Sequence, residues 1–175
     1  MPRVVICGGK WGLSSHTGSE RSRGLVRSGM ATFRGSYQHS IDHKGRVSIP
    51  ARFRRLLTGD SNDTLVVLRG LDECVWLYPL EEFRRFEDRL RARSFSDEAN
   101  RRFQRMLLMD ARDETLDTQG RVAIPPRLIA HAKLEKDVLV CGLLDHIEIW
   151  NPELYEQYLG SSTRTYEDIA GELLL

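Results

Sequence analysis

The sequence predicts an α+β protein in which two copies of one small β-rich unit are joined by helices. Three observations support this fold class: a segment repeats after 75 residues, the repeated segments alternate apolar and polar residues, and the stretch between them has apolar residues at helical spacing. With 175 residues and 41% hydrophobic content, the chain can bury the core of one sizeable domain or of two small fused ones.

The repeat is clearest around a pair of turns. Residues 41–52 (IDHKGRVSIPAR) align without gaps to residues 116–127 (LDTQGRVAIPPR), with seven identities. The similarity resumes downstream, at 66–71 with 138–143 and at the apolar strands 74–78 and 146–150. A repeat of this kind indicates that one structural unit has been duplicated.

Each copy contains a tight hairpin. Asp in the first position and Gly in the fourth predict a type I turn closed by a glycine with positive φ, which is Gly45 in one copy and Gly120 in the other. After the turn, strand alternation buries the valine and the isoleucine and exposes the arginine, Arg46 or Arg121.

The remaining elements follow from prolines and periodicity. Pro50 and Pro125 end the strands after the turns, and apolar residues at helical spacing follow each of them. Each unit is therefore strand, hairpin, strand, short helix and two strands. Further helical patterns follow the last strand of each copy, at 80–93 and 152–159, and a second stripe between the copies runs from Ala99 to Leu107.

These elements predict five segments along the chain. They are a flexible basic extension (1–29), a first unit (33–79), a helical connector (80–112), a second unit (113–160) and a C-terminal tail (161–175). The extension is interpreted as a tail, as sequence upstream of a true start at Met30, or as an arm that wraps DNA. The tail lacks a clear partner, so we expect it to fray or to dock on a neighbouring molecule.

The net charge of +1 conceals an uneven distribution. Residues 1–29 and 30–105 each carry a balance of +4, whereas residues 106–175 carry −7. The first two thirds of the chain can therefore face a polyanion. Of the 26 basic residues 22 are arginines, whose planar fork suits phosphates and guanine edges, although genome base composition can produce the same bias.

The repeated arginine is the strongest functional signal. In one copy, an ion pair between Asp42 and Arg46 across their own turn would explain both residues without any function. An exposed arginine that recurs in both copies has no packing reason to do so, and a hairpin that presents a guanidinium fits the major groove of DNA. The candidate DNA contacts are Arg46, Arg121, Asp42, Asp117, Lys44, Gly45, Gly120, Arg34 and Arg52.

The two hairpins are predicted to differ in strength. Lys44 suits a phosphate contact, whereas Gln119 at the equivalent position is neutral. Arg34, Arg52, Arg54 and Arg55 add charge near the first hairpin in the sequence, although Arg54 and Arg55 can simply be the solvated side of the short helix. We therefore expect the first hairpin to make the main contact with DNA and the second hairpin to make an auxiliary contact.

These residues resemble the MraZ family of bacterial transcriptional regulators. The resemblance covers 33 to about 160 and rests on Phe33-Arg34-Gly35, the Asp-x-Lys-Gly-Arg turn followed by Val-Ser-Ile-Pro, and the second Asp-x-x-Gly-Arg turn followed by an Ile-Pro pair. It implies tandem AbrB-like swapped-hairpin β-barrel units (SpoVT-AbrB domains) in a pseudo-twofold arrangement with connecting helices. Residues 1–29 depart from the family pattern.

The resemblance also implies a function. Family members form ring-like homo-oligomers and bind repeated sites in double-stranded DNA upstream of the division and cell-wall gene cluster, so a repressor associated with the nucleoid is expected. The resemblance assigns DNA binding to four residues: Asp42, Arg46, Asp117 and Arg121. The alternative is a ring-forming interaction scaffold without specific DNA binding, which the salt dependence of binding would distinguish.

Enzymatic and membrane functions find no support in the sequence. His39 and His43 lie on a strand that enters a turn without a third ligand nearby, and Cys7-Gly8-Gly9-Lys10 lacks the pattern of a phosphate-binding loop. No cofactor, metal or small-molecule substrate is expected. The three cysteines lack disulfide or metal spacing, and the early apolar run is too short for a membrane span, which favours a reducing cytoplasm.

Overall fold

The computed structural model describes residues 32–57, 63–94 and 96–174. The predicted N-terminal extension and Met30 lie outside these ranges. The elements are β1 (Phe33–Ser40), β2 (Arg46–Ser48), α1 (Ala51–Arg54), β3 (Thr64–Arg69), β4 (Val75–Pro79), α2 (Leu80–Arg91), α3 (Glu98–Leu108), β5 (Arg112–Thr115), β6 (Arg121–Ala123), α4 (Pro126–His131), β7 (Asp137–Leu144), β8 (His146–Trp150), α5 (Pro152–Gly160) and α6 (Tyr166–Leu174). The α+β class and the order of elements in both units are confirmed.

The strands of the two halves are interleaved. A six-stranded antiparallel sheet has the order β1-β7-β8-β4-β3-β5, and β2 pairs with β6 in a separate two-stranded ribbon. The first strand of each half therefore pairs with the third strand of the other half, β1 with β7 and β5 with β3. The two halves are therefore related by a pseudo-twofold axis. Both contribute strands to one shared sheet.

The hairpin arms differ from the simple expectation. Next to the turn, β1 and β2 are linked by the bridge between Ile41 and Val47, but beyond it each arm pairs with a strand of the other half. The carbonyl of Gly45 accepts a hydrogen bond from the Ile124 N–H, and the carbonyl of Gly120 accepts one from the Ile49 N–H. Each turn is therefore fixed to the opposite half of the chain.

The main core lies between the sheet and the ribbon. Val47 and Val122 are partners in the ribbon and are both fully buried, while the next inward residues, Ile49 and Ile124, are also buried. Phe53 of α1 and Leu128 of α4 close the same core from equivalent positions. The predicted inward-facing residues are thus confirmed, and their burial fixes the orientation of the ribbon under the turns.

The connector helices cover the other face of the sheet. Alternate residues of β3 enter different cores: Leu65 and Val67 join the first, whereas Val66 and Leu68 pack with Phe83 of α2 and with Leu107 of α3. A third cluster contains Cys74, Cys141 and Trp150 beside α5, and both cysteines are free thiols.

The C-terminal tail contains a helix, α6, that is largely exposed. Ala170 is half-buried, and the other side chains from 166 to 173 are exposed. In the described part of the chain no helix is both long and apolar enough to cross a lipid bilayer.

Candidate nucleic-acid interface

Each turn is locked by one aspartate that uses both of its carboxylate oxygens. In the first turn, Asp42 Oδ1 accepts hydrogen bonds from the backbone N–H groups of Lys44 (2.9 Å) and Arg46 (3.0 Å). Asp42 Oδ2 accepts from Arg46 Nε (2.9 Å) and lies 2.7 Å from Nη2 of the same guanidinium. One side chain thus fixes the turn and holds the arginine in a side-on ion pair.

The second turn repeats this arrangement. Asp117 Oδ1 accepts from the N–H groups of Gln119 (2.9 Å) and Arg121 (3.0 Å), and Oδ2 accepts from Arg121 Nε (2.8 Å). The φ angles of 74° at Gly45 and 73° at Gly120 confirm the positive φ predicted for both glycines. The two turns are therefore copies in geometry as well as in sequence.

The two turns meet in one ionic cluster. Arg46 Nη1 lies 3.4 Å from Asp117 Oδ2, and Arg121 Nη1 lies 3.4 Å from Asp42 Oδ2. Each arginine therefore contacts its own aspartate and that of the other half. The separate hairpins expected from the sequence form a single site in which two guanidinium groups lie side by side.

This cluster corrects the expected exposure of the arginines. About a quarter of each side chain is exposed, 26% for Arg46 and 23% for Arg121, because the turns pack against each other. A guanidinium has five N–H donors, and Nε, Nη1 and Nη2 of each arginine contribute to the cluster. These contacts use three of the five N–H groups of each guanidinium.

The carboxylates of the cluster are held in the charged form. The hydrogen bond from the Arg46 side chain, followed by the backbone N–H groups, holds the pKa of Asp42 well below its usual value. The hydrogen bond from Arg121 lowers the pKa of Asp117 in the same way. Both ion pairs are therefore intact at neutral pH.

Arg54 lies at the turn opposite to the one expected. A Cβ atom added to Gly120 would lie 2.5 Å from Cδ and Nη1 of Arg54, so this first-half arginine covers the second turn. The residue 75 positions later, Ile129, occupies the equivalent place over Gly45, with its Cδ1 3.1 Å from an added Cβ. The expectation that Arg54 adds charge to the first turn is wrong, because exchange of the strands brings each short helix to the other turn.

The other predicted contacts lie at different distances from the cluster. Lys44 is exposed at the tip of the first turn, and Arg52 is exposed on α1. Arg34 is exposed at the far end of β1, opposite Leu143, eight residues and roughly 25 Å of strand away from Asp42. The structure therefore does not bring Arg34 to the cluster.

Sequence reasoning missed the position of Arg54 and the role of Ile129. The repeat itself contained the signal, since an offset of 75 residues pairs a charged side chain with an apolar one at these positions. In the described ranges, no group of three or more His, Cys, Asp or Glu side chains is arranged to hold a metal ion.

The strand exchange and the paired Asp/Arg turns define a tandem protein of the SpoVT-AbrB type. Consistent with this class, the family model described as "MraZ protein, putative antitoxin-like" matches the chain twice, at residues 32–106 and 107–172. The chain belongs to the MraZ family.

Curated relatives support this assignment over most of the chain. Proteins named "Transcriptional regulator MraZ" are similar to it in Thermoanaerobacter pseudethanolicus (41% identity, 79% of this chain and 94% of the relative) and in Heliobacterium modesticaldum (40% identity, 81% and 96%). A relative of the same name in Pediococcus pentosaceus is 40% identical over 81% of this chain and 96% of its own length.

Proposed function

We propose that this chain is a sequence-specific DNA-binding transcriptional regulator that acts in the nucleoid and represses the division and cell-wall gene cluster. The observation that carries the proposal is the pair of guanidinium groups held side by side by Asp42 and Asp117. A preorganised guanidinium can donate two hydrogen bonds to one guanine edge, and two of them on one ribbon can read neighbouring bases. The names of the curated relatives agree with this class of function.

Binding assays with arginine variants test the base contacts. A duplex selected from genomic DNA by the wild-type chain would be compared with a random duplex for the wild type, Arg46→Ala, Arg121→Ala and the control Arg84→Ala on α2. Each cluster variant should lose about ten- to a hundredfold affinity for the selected duplex, because each removes one bidentate contact. The control should bind as the wild type does.

The relative size of the two losses is also informative. The sequence favoured a larger loss for Arg46→Ala, because basic residues surround the first turn in the sequence. Arg54 over the second turn and the shared carboxylates favour losses of similar size. Unchanged affinity in both cluster variants would refute the reading role of the arginines, and wild-type chain that binds no duplex would favour the scaffold alternative.

Self-association into a ring-like homo-oligomer is the second part of the proposal. Phe103 and Met106 on α3, and Met109 directly after it, are exposed beside Arg102 and Arg105. On α6, Tyr166, Ile169 and Leu173 form an exposed apolar stripe on a helix that carries three acidic side chains, Glu167, Asp168 and Glu172. The two surfaces are complementary in charge, so α6 of one copy can cover α3 of the next.

Sedimentation measurements test this interface. The double variant Ile169→Asp/Leu173→Asp should have a lower sedimentation coefficient than the wild type, because it places charges in the apolar contact. Glu153→Gln, at an exposed position on α5, is the control. An unchanged sedimentation coefficient in the double variant would refute the role of α6.

A further inference from the structure

The cations beside the two turns are distributed in a complementary way. At the tip, the first turn carries Lys44 and the second carries Gln119, which is 75 positions later. Over the turn glycine the order is reversed, since Ile129 covers Gly45 and Arg54 covers Gly120. Each turn therefore has one long basic side chain near it. For the first turn this is Lys44 at its own tip, and for the second turn it is Arg54 from α1 of the other half.

Arg54 lies in an open cleft at the edge of the ionic cluster. The cleft has a volume of about 350 Å³ and is lined by Arg54, Asp63, Leu116, Asp117, Thr118 and Gly120. Arg54 is exposed, whereas Gly120 beneath it is buried. The Arg54 side chain thus lies against the buried Gly120 while the residue stays exposed, which suits contact with an anionic group of a large ligand.

Two carboxylates in the cleft affect an incoming anion differently. Asp117 is paired with both Arg121 and Arg46, so its charge is largely compensated within the cluster. Asp63 has no such pairing with the cluster and places a negative charge in the same cleft. Removal of that charge should favour the binding of an anion next to Arg54.

We propose that Arg54 binds a phosphate of the DNA backbone beside the second turn. Its role there would match the phosphate contact expected of Lys44 at the first turn. This inference rests on the proposed DNA-binding function. Backbone contacts position a protein on DNA independently of base sequence, in contrast to the base contacts assigned to Arg46 and Arg121. Lys44 and Arg54 would thus bind backbone phosphates on the two sides of the pair formed by Arg46 and Arg121.

The test measures binding as a function of salt for the full chain on two duplexes, one selected by the wild type and one of random sequence. Arg54→Gln should weaken binding to both duplexes to the same extent. A single phosphate contact contributes about 0.9 to the slope of log K against log salt, which corresponds to roughly eightfold in affinity at 0.1 M salt. Arg54→Lys should retain most of the affinity, and Asp63→Asn should increase it on both duplexes.

Arg84→Gln is the matched control, since it removes an exposed arginine on α2 and should leave the slope unchanged. Circular dichroism melting shows that each variant is folded. If Arg54→Gln binds with wild-type slope while the wild type binds DNA, the inference is wrong and the proposed function stands. A loss confined to the selected duplex, or an equal loss in Arg84→Gln, would also overturn it. Wild-type chain that binds neither duplex would overturn the proposed function itself.

Discussion

At the scale of residues, Asp42 and Asp117 determine the geometry of the site. Each uses Oδ1 to close a turn and Oδ2 to hold the arginines, so the conformation of the backbone and the direction of the guanidinium groups depend on the same side chain. Longer Glu side chains could not satisfy both sets of donors from the same backbone position. The sequence predicted the pairing within each turn but not the contact between turns, because residues so far apart in the chain become neighbours only through strand exchange.

Acid should weaken the fold through these two carboxylates. Their folded-state pKa values lie below the ordinary value of 3.8, so their contribution to stability is complete above that pH and is lost as pH falls below it. The double variant Asp42→Asn/Asp117→Asn should be less stable than the wild type at pH 7. Between about pH 4 and pH 2 its free energy of unfolding should also change less than that of the wild type.

Urea denaturation at a series of pH values measures this effect. Asp88→Asn is the control, because Asp88 is an exposed residue of α2 and belongs to a different ion pair. Equal pH dependence in the double variant and the wild type would show that the cluster does not contribute to acid sensitivity.

At the scale of elements, β4 and β8 hold the halves together at the centre of the sheet. Glu148 of β8 is the register partner of Trp76 in β4 and is buried. It accepts hydrogen bonds from the indole N–H groups of Trp76 (2.9 Å) and Trp150 (2.8 Å). Burial opposes ionisation, but these bonds and the neighbouring His146 outweigh it and lower the pKa of Glu148.

Substitution of Glu148 by Leu should destabilise the protein. It would leave two indole N–H groups without an acceptor, at a cost of about 1–3 kcal/mol for each one that stays buried. Glu148→Gln, which keeps an oxygen acceptor, should cost less. Denaturation followed by tryptophan fluorescence gives the free energies, and Glu156→Leu on the exposed side of α5 is the control. A Glu148→Leu variant as stable as wild type would contradict this role.

The elements themselves were largely predictable, whereas their partners were not. Alternation placed Val47, Ile49 and their repeats in the core, and prolines marked the starts of α1 and α4. Alternation defines the face of a strand but not the strand beside it, so it gave no sign that β1 pairs with β7. α6 was also missed as an element, and its apolar stripe of Tyr166, Ile169 and Leu173 is exposed.

At the scale of the whole molecule, the exchange of strands predicts one cooperative unit. Every pairing of β1, β2 and β5 is with a strand of the other half apart from the bridge beside the first turn. Unfolding followed by far-UV circular dichroism and by tryptophan fluorescence should therefore give coincident transitions for residues 32–160. Two separate transitions would indicate halves that fold independently.

The difference between Arg54 and Ile129 has a consequence for any DNA bound as proposed. A dimer of two identical chains presents the same face to both strands of a duplex and is matched by a palindrome. A fused chain with an arginine over one turn and an isoleucine over the other lacks exact twofold symmetry at the site. Bound DNA would therefore have one defined orientation on the chain. Successive chains in the same orientation would match direct repeats of a site and not inverted repeats.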